Sequence, residues 1–213
     1  GWTNDFNGAI AKYRQAVSNN RDSFINKFIN TPMKISVIIA TYNRTLALKD
    51  VLDDLLAQTI QPSLFEVIVV DNNSSDNTRD MVNGFVPSFG GRLKYCFEEI
   101  KGKTFALNKG IATAQGEILA FTDDDVSLDA RWLDCLLSCF KDHDCDAAGG
   151  RVLPVYPKET PQWIKNNKQE LCGPIVYYNY GEKTKKYDVP MSEFIGANVA
   201  IKSAIFKEAG TFR

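Results

Sequence analysis

Three consecutive aspartates, Asp123 to Asp125, directly follow the apolar run EILAFT, Glu117–Thr122. This run is typical of a buried strand. Carboxylates crowded at the end of such a strand repel one another, and a divalent cation is the simplest partner that would compensate them. Oxygen ligands of this kind suit Mg²⁺ or Mn²⁺, which commonly bridge carboxylates to phosphate oxygens. The triplet therefore predicts a metal-bound phosphate substrate. The alternative is a solvated acidic loop, or an Asp that caps a helix beginning near Ala130.

Polar side chains in three other predicted loops offer chemistry that complements the aspartates. Tyr42 has a ring that can stack on a base, and Asp71 and Asn72 offer acceptors and an amide for the edge of that base. Lys101 and Lys103 precede a predicted helix, whose N-terminal N–H groups and dipole favour anions. Together these residue types suit a nucleoside diphosphate that carries a leaving group. Each also has a plain structural interpretation, as strand-end packing, turn chemistry or a solvated face.

Strands and helices in alternation must position these loops. Four runs predict buried strands: KISVIIA (Lys34–Ala40), FEVIVV (Phe65–Val70), LKYCFE (Leu93–Glu98) and EILAFT. Helical patterns lie between them, and the third is expected to end at Gly116. This alternation predicts an α/β fold with a mainly parallel central sheet flanked by helices. Because ligands of such sheets bind beyond the carboxyl ends of the strands, the polar loops are expected to converge on one crevice.

Composition and charge narrow the function classes. A chain of 213 residues is long enough for one sizeable α/β domain. Its net charge of -1 argues against nucleic-acid binding, since no basic excess exists to neutralise a phosphate backbone. No apolar run approaches the roughly 20 residues of a membrane span, and the first residues lack a signal-peptide pattern, which predicts a cytoplasmic protein. A first residue of Gly rather than Met predicts a trimmed or tagged N-terminus.

The cysteines predict a reducing compartment rather than a metal centre. Five are present, an odd number that is harmless where thiols stay free. Cys135, Cys139, His143 and Cys145 lie close together in sequence, but a structural zinc site usually needs a second ligand pair that the sequence does not offer.

Residues 1–31 predict a separate helical segment. Large apolar side chains recur there at spacings of three, four and seven, from Trp2 to Phe28. Such a helix can pack on the domain, pair with a partner helix in a homodimer, or lie on a membrane surface. Few basic residues stand on its polar face, which favours packing or dimerisation.

Four ordered motifs resemble the family 2 glycosyltransferases of the GT-A fold: ISVIIATYNR, EVIVVDNNSSDNT, GKTFALNKGIATAQGEILAFTDDDV and GANVAIKSAIFKEAGTF. The resemblance covers most of residues 32–213, which it identifies as a GT-A domain. It implies a nucleotide-diphospho-sugar donor, usually a UDP-sugar, a Mg²⁺ or Mn²⁺ ion, and inversion at the anomeric centre. The implied acceptor is a saccharide or a lipid-linked group in polysaccharide or glycoconjugate synthesis, at the inner face of the membrane.

The resemblance also implies a role for particular residues. The base would be held by Ala40, Tyr42, Asp71 and Asn72, and the turn Gly196–Asn198 would face the donor sugar or the acceptor. Ribose and diphosphate would contact Asp123 and Asp124, and the metal would bind Asp125 together with Asp123. Lys103 and Asn108 would line the donor site.

Two departures from the family pattern limit what the resemblance implies. Asn72 stands where family members often have a second aspartate, so the base preference is less firmly implied. The general base usually lies in an acidic motif downstream of a turn resembling AGTF, and is therefore expected beyond Arg213 unless Glu193 or another residue replaces it. The alternative function is a non-catalytic or truncated sugar-nucleotide binding module. A phosphatase of the haloacid dehalogenase type is disfavoured, because its aspartate pair follows the first strand.

Overall fold

A computed structural model describes residues 35–167, 170–171, 176–179, 181, 183–186 and 195–213. The predicted N-terminal helical segment and Glu193 lie outside these residues. The described strands are β1 (Ile35–Thr41), β2 (Phe65–Asp71), β3 (Leu93–Phe97), β4 (Ile118–Thr122), β5 (Ala147–Gly149) and β6 (Val199–Lys202). The described helices are α1 (Thr45–Leu56), α2 (Thr78–Phe85), α3 (Lys103–Thr113), α4 (Trp132–Asp142), α5 (Gln162–Asn166) and α6 (Ser203–Ala209), and a 3₁₀ turn, Pro62–Leu64, precedes β2.

The strands form one six-stranded sheet in the order β3-β2-β1-β4-β6-β5. Strands β1 to β4 pair in parallel, whereas β6 runs antiparallel to both β4 and β5. The predicted α/β fold with a mainly parallel sheet is confirmed, and the antiparallel edge is an addition to it. Because β2 and β4 flank β1 on opposite sides, the strand order reverses at β1, where ligands of such sheets bind.

The register sets which residues meet at the carboxyl edge of the sheet. Thr41 lies beside Asp71, and Ile39 lies beside Thr122. The ladder continues beyond β2, because the Asn72 N–H donates to the Thr41 carbonyl oxygen at 2.8 Å. The two residues that follow Thr122 are therefore level with the last residues of β1. The aspartate triplet thus begins beside the loop that contains Tyr42.

Both faces of the sheet are covered, which explains why the central strands read as continuous apolar runs. Alternate residues of β1 point to opposite sides: Val37 and Ile39 pack with α1, α2 and α4, whereas Ile38 packs with α3 and α6. All three side chains are fully buried. Full burial of each such side chain stabilises the fold by roughly 1.5–3 kcal/mol.

Two glycines, one within α3 and one shortly after it, allow the chain to pass close to the sheet. A Cβ on Gly110 would lie 2.5 Å from Cγ2 of Ile38, and a Cβ on Gly116 would lie 2.5 Å from the backbone nitrogen of Ser36. The prediction that Gly116 ends the helix is wrong, because α3 ends at Thr113 and Ala114 follows it in extended conformation. Gly116 is instead required by the close passage of the chain beside β1.

Within the described residues, no helix has both the length and the apolar character needed to cross a membrane.

Candidate functional site

A cleft of about 450 Å³ opens at the carboxyl ends of β1, β2 and β4. Four loops reach it, each of them following a parallel strand. Its lining residues are Ala40, Thr41, Tyr42, Arg44, Asn72, Lys101, Gly102, Lys103, Asp123, Asp124 and Asp125. The expected convergence of the polar loops on one crevice is therefore found in the structure.

Asp124 is the buried member of the acidic triplet. Its Oδ2 accepts a hydrogen bond from Thr41 Oγ1 at 2.7 Å, and its Oδ1 lies 3.7 Å from Nη1 of Arg44. Burial raises the pKa of the Asp124 carboxyl, and the charge of Asp125 adds to this, although Thr41 and Arg44 partly offset the shift. Asp124 therefore connects the end of β1 to the loop after β4.

Asp123 and Asp125 flank the buried carboxylate and remain accessible. Their side chains are 31% and 48% exposed. Nζ of Lys103 donates to Asp123, and Nη1 of Arg44 donates to Asp125. Each accessible carboxylate thus has a cationic partner that is itself exposed to solvent.

Tyr42, in the loop that follows β1, lines the cleft with a half-exposed ring. Lys101 Nζ donates to the Tyr42 hydroxyl at 3.0 Å and lies 4.9 Å from the ring centroid. Ala40, at the end of β1, also lines the cleft. The ring is held by the lysine contact and leaves aromatic surface in the cleft, 45% of the residue being exposed.

Asn72 positions the loop that carries the lysines. Its Oδ1 accepts from the Gly102 N–H at 2.7 Å, and its Nδ2 donates to the carbonyl oxygen of Ile100 at 2.6 Å. Gly102 has φ 142°, in the region that favours glycine, and it directly precedes α3. The side chain of Asn72 is therefore engaged by the protein, although the residue lines the cleft.

Asp71 lies at the predicted strand end, but its side chain points away from the cleft. Its Oδ1 accepts from the Ser74 N–H at 2.8 Å, and its Oδ2 accepts from the Tyr95 hydroxyl at 2.7 Å. Burial first, and then the bond to Asp71, raise the pKa of Tyr95. Asp71 lines a second, smaller depression with residues 74–77 instead. Its predicted contact with a base stays a prediction.

Asn108 is also engaged by another part of the chain. Its Nδ2 donates to the Phe212 carbonyl oxygen at 2.8 Å, and its Oδ1 accepts from the Phe212 N–H at 3.0 Å. The Phe212 ring packs edge-on against Phe121 and Phe206. Asn108 therefore fastens the segment after α6 to α3, and it is not among the residues that line the cleft.

The sequence did not single out Thr41 or Arg44. Thr41 is the last residue of β1, and Arg44 stands just before α1. The available signal was their position: a hydroxyl and a cation in the same strand-end loop as Tyr42. Only the three-dimensional approach of this loop to the aspartates gives the two residues a role.

The donor set at the cleft fits a hard divalent cation that brings other ligands with it. Among the described residues, no three or more His, Cys, Asp or Glu side chains are arranged to hold a metal ion by themselves. Asp123 and Asp125 provide accessible carboxylate oxygens, the ligand type that Mg²⁺ and Mn²⁺ prefer. Such ions commonly use one or two carboxylates and complete their shell with water and substrate phosphate.

Solved structures with the same fold include glycosyltransferases. S. aureus TarS, residues 1–349, has a TM-score of 0.67 at 22% identity, over 84% of this chain and 50% of that chain. The same protein has been solved with UDP and with UDP-GlcNAc. The mannosyltransferase PcManGT of Pyrobaculum calidifontis, in complex with GDP-Man and Mn²⁺, has a TM-score of 0.59 at 23% identity, over 98% of this chain and 56% of that chain.

Sequence relatives lead to the same group of proteins. A glucosyl-dolichyl phosphate glucuronosyltransferase of Haloferax volcanii is 27% identical over 183 residues, which are 84% of this chain and 56% of the relative. Glycosyltransferase AglE of the same organism is 35% identical over 123 residues, 58% of this chain and 40% of the relative. The chain thus spans about half the length of these relatives, or less. The family description "Glycosyl transferase family 2" matches residues 36–210, most of the chain, and the protein belongs to this family.

Proposed function

We propose that this protein binds a nucleotide-diphospho-sugar in the cleft and transfers the sugar to an acceptor hydroxyl. The observation that carries the proposal is the grouping of an exposed tyrosine ring, three cations and three carboxylates at the strand-order reversal. Membership of glycosyl transferase family 2 supports the reaction class. The donor proposed first is a UDP-sugar, because TarS, which shares the fold, has been solved with UDP and UDP-GlcNAc.

The nucleoside end of the donor is assigned to the β1 side of the cleft. Tyr42 offers the only aromatic ring among the described residues that line it, and Ala40 leaves room beside that ring. Asn72 acts by holding the Ile100–Gly102 backbone in place, and Asp123 is within the same cleft for the ribose hydroxyls. Asp71 contributes through the loop that it fixes at Ser74.

The diphosphate end is assigned to the charged side. The formal charges of Arg44, Lys101 and Lys103 balance those of the three lining aspartates, so a bound diphosphate would be left uncompensated. A Mg²⁺ or Mn²⁺ ion held by Asp125 and Asp123 would restore the balance. When bound, such an ion neutralises charge that develops on the leaving diphosphate.

The proposed transfer is an inverting displacement. The acceptor oxygen forms a bond to the anomeric carbon as the bond from that carbon to the diphosphate breaks, and the nucleoside diphosphate leaves with the bonding electrons. The hydroxyl proton passes to a general base as the new bond forms. Lys103 is proposed to hold the diphosphate, and its position in the cleft lining at the start of α3 supports this role.

A lipid-linked saccharide is the acceptor class that the proposal favours. Support comes from the Haloferax volcanii relative, whose name specifies a glucosyl-dolichyl phosphate. An acceptor of this kind would bring the protein to a membrane face.

Titration calorimetry with UDP and GDP, each with and without Mn²⁺, tests the donor assignment. UDP binding that strengthens with Mn²⁺ is expected, and absence of nucleotide binding under all conditions would contradict the proposal.

A second measurement follows transfer and hydrolysis of a radiolabelled UDP-sugar, beside a longer version of the protein. Binding without turnover in both would favour the binding-module alternative.

A further inference from the structure

Arg44 forms an ion pair with Asp125, the carboxylate that the proposed metal ion would use. Its Nη1 donates to Asp125 and lies 3.7 Å from Oδ1 of Asp124. The Arg44 side chain is 51% exposed and that of Asp125 is 48% exposed, so solvent reaches both partners. Ion pairs with this exposure contribute little to stability and exchange readily with water. The pair can therefore open without disturbing the core.

Arg44 and a divalent cation cannot both use Asp125 without cost. The guanidinium is charged at every accessible pH, so it repels a metal ion placed a few ångströms away. Among the described residues, the second carboxylate in an ion pair with Arg44 is Asp124, whose Oδ2 is already bonded to Thr41. A metal ion that arrives alone must therefore displace the arginine from Asp125 without bringing an anion to replace that carboxylate.

A bound diphosphate changes the competition between Arg44 and the metal ion for Asp125. Arg44 lines the same cleft as Lys101 and Lys103, and guanidinium groups pair well with phosphate oxygens. With a diphosphate present, the arginine that leaves Asp125 gains an anionic partner. The freed carboxylate then accepts the metal ion, and the metal ion compensates the phosphate charge.

We propose that Arg44 is an exchangeable counter-ion, which yields Asp125 to a divalent cation only when a diphosphate is bound. This inference rests on the proposed function and adds a binding order to it. The exchange makes nucleotide and metal binding mutually dependent. By thermodynamic linkage, the factor by which Mn²⁺ strengthens UDP binding equals the factor by which UDP strengthens Mn²⁺ binding.

The test compares Arg44→Gln with the wild-type protein, using Mn²⁺ alone and Mn²⁺ with saturating UDP. Free Mn²⁺ is measured by electron paramagnetic resonance, which needs no enzymatic turnover. Arg44→Gln is expected to bind Mn²⁺ alone about threefold or more tightly, the size of effect that a surface ion pair supports. The factor by which UDP strengthens Mn²⁺ binding is expected to fall by a similar ratio.

Lys49→Gln provides the matched control. Lys49 lies on α1, is 50% exposed and pairs with Asp53 at 2.7 Å, so the substitution removes the same charge from an equally exposed ion pair outside the cleft. It is expected to leave both Mn²⁺ affinities at the wild-type values. Arg44→Lys keeps the charge and is expected to restore weak binding of Mn²⁺ alone. Circular dichroism and melting temperature confirm that each variant is folded.

Three results would overturn the inference. Unchanged or weaker binding of Mn²⁺ alone to Arg44→Gln shows that the arginine does not compete with the metal. Suppose that Arg44→Gln binds Mn²⁺ alone more tightly, but that UDP strengthens its Mn²⁺ binding by the wild-type factor. Arg44 then repels the metal ion but does not move from Asp125 to the diphosphate. Arg44→Lys behaving like Arg44→Gln shows that charge is not the cause.

The proposed metal site is tested separately by Asp125→Asn. If wild-type and Asp125→Asn proteins bind Mn²⁺ equally in the presence of UDP, the metal assignment itself fails. If Asp125→Asn loses Mn²⁺ while Arg44→Gln matches the wild type, the metal assignment stands and the exchange does not.

Discussion

Asp125 is expected to contribute to ligand binding far more than to the fold. Its side chain is 48% exposed, and its partner in the structure is the equally exposed Arg44. Asp125→Ala is therefore expected to abolish Mn²⁺-dependent UDP binding and to change the melting temperature by no more than about 2 °C. Calorimetry and a thermal melt measure the two effects.

Asp53→Ala is the matched control for Asp125→Ala. Asp53 is 50% exposed and paired with Lys49, but it lies on α1 away from the cleft. It should leave Mn²⁺-dependent UDP binding intact. Unchanged affinity in Asp125→Ala would show that the metal role assigned to this carboxylate is wrong.

Tyr42 is expected to contribute through its ring rather than through its hydroxyl. Stacking of a base on an aromatic side chain is worth about 1–3 kcal/mol by alanine substitution, so Tyr42→Ala should weaken UDP binding about tenfold. Tyr42→Phe keeps the ring, loses only the bond from Lys101, and should bind UDP almost as the wild type does.

Phe97 offers a control of similar exposure for the Tyr42 substitutions. It is 44% exposed at the end of β3 and is not among the residues that line the cleft. Phe97→Ala should leave UDP affinity unchanged in the same calorimetric titration. If Tyr42→Ala also leaves it unchanged, the base does not stack on this ring.

At the level of elements, the Asn108 amide joins α3 to the segment that follows α6. Asn108→Ala removes two hydrogen bonds to the Phe212 backbone and leaves partly buried polar groups without that partner. The free energy of unfolding is expected to fall by about 1–3 kcal/mol, as measured by urea denaturation. Asn83→Ala, at an exposed position on α2, serves as the control and should have little effect.

UDP affinity separates two roles for Asn108. If Asn108 acts only as a fastener, UDP binding to the folded Asn108→Ala variant stays close to the wild-type value. Weaker UDP binding without loss of stability would instead support the donor-site role that the family resemblance implies.

Glu66 in β2 is bonded to three neighbouring segments. Its ionisation should make the free energy of unfolding depend on pH. Burial alone would raise the pKa of its carboxyl, but bonds from Lys94, Ser36 and the Gln115 amide outweigh burial and lower it below the ordinary 4.5. The folded protein therefore holds the Glu66 proton less tightly than the unfolded chain. The stabilisation is complete above the unfolded pKa and is lost as the pH falls through the lower, folded pKa.

Glu66→Gln tests this dependence. Urea unfolding at several values between about pH 6 and pH 3 should show a smaller loss of stability on acidification in the variant than in the wild type. Glu99, which precedes Ile100 in an exposed loop, offers the control substitution Glu99→Gln. Identical pH dependence in the wild type and Glu66→Gln would show that other carboxyl groups determine acid stability.

The central strands were predictable because a strand that is buried on both faces appears in the sequence as a continuous apolar run. Ile35–Thr41 and Phe65–Asp71 are almost continuously apolar, and the polar loops that follow them were expected at one edge. The antiparallel direction of β6 left no such signal, since strand direction depends on the path of the preceding chain. Side-chain direction was also hidden: Asp71 and Asn108 lie near the predicted site, but hydrogen bonds to distant residues turn them elsewhere.

On the scale of the whole molecule, the net charge of the chain does not reveal which charged groups meet at the cleft. The net charge of -1 gave no hint of an anion site, because the cations at the cleft are balanced by the aspartates beside them. Such a balanced site does not attract polyanions from a distance, and it becomes selective only when a ligand brings both anionic and cationic groups. The composition thus argued against nucleic-acid binding while remaining compatible with a single diphosphate.

Gly110 acts as a spacer between the helix layer and the sheet. A Cβ at this position would lie 2.5 Å from Cγ2 of Ile38, which is fully buried and branched at Cβ, so a larger residue would force Ile38 or α3 to shift. Because Lys103 lies in the first turn of α3, a shift of the helix is expected to change its distance from Asp123. The spacing of two residues that line the cleft is thus expected to depend on the size of a residue that does not line it.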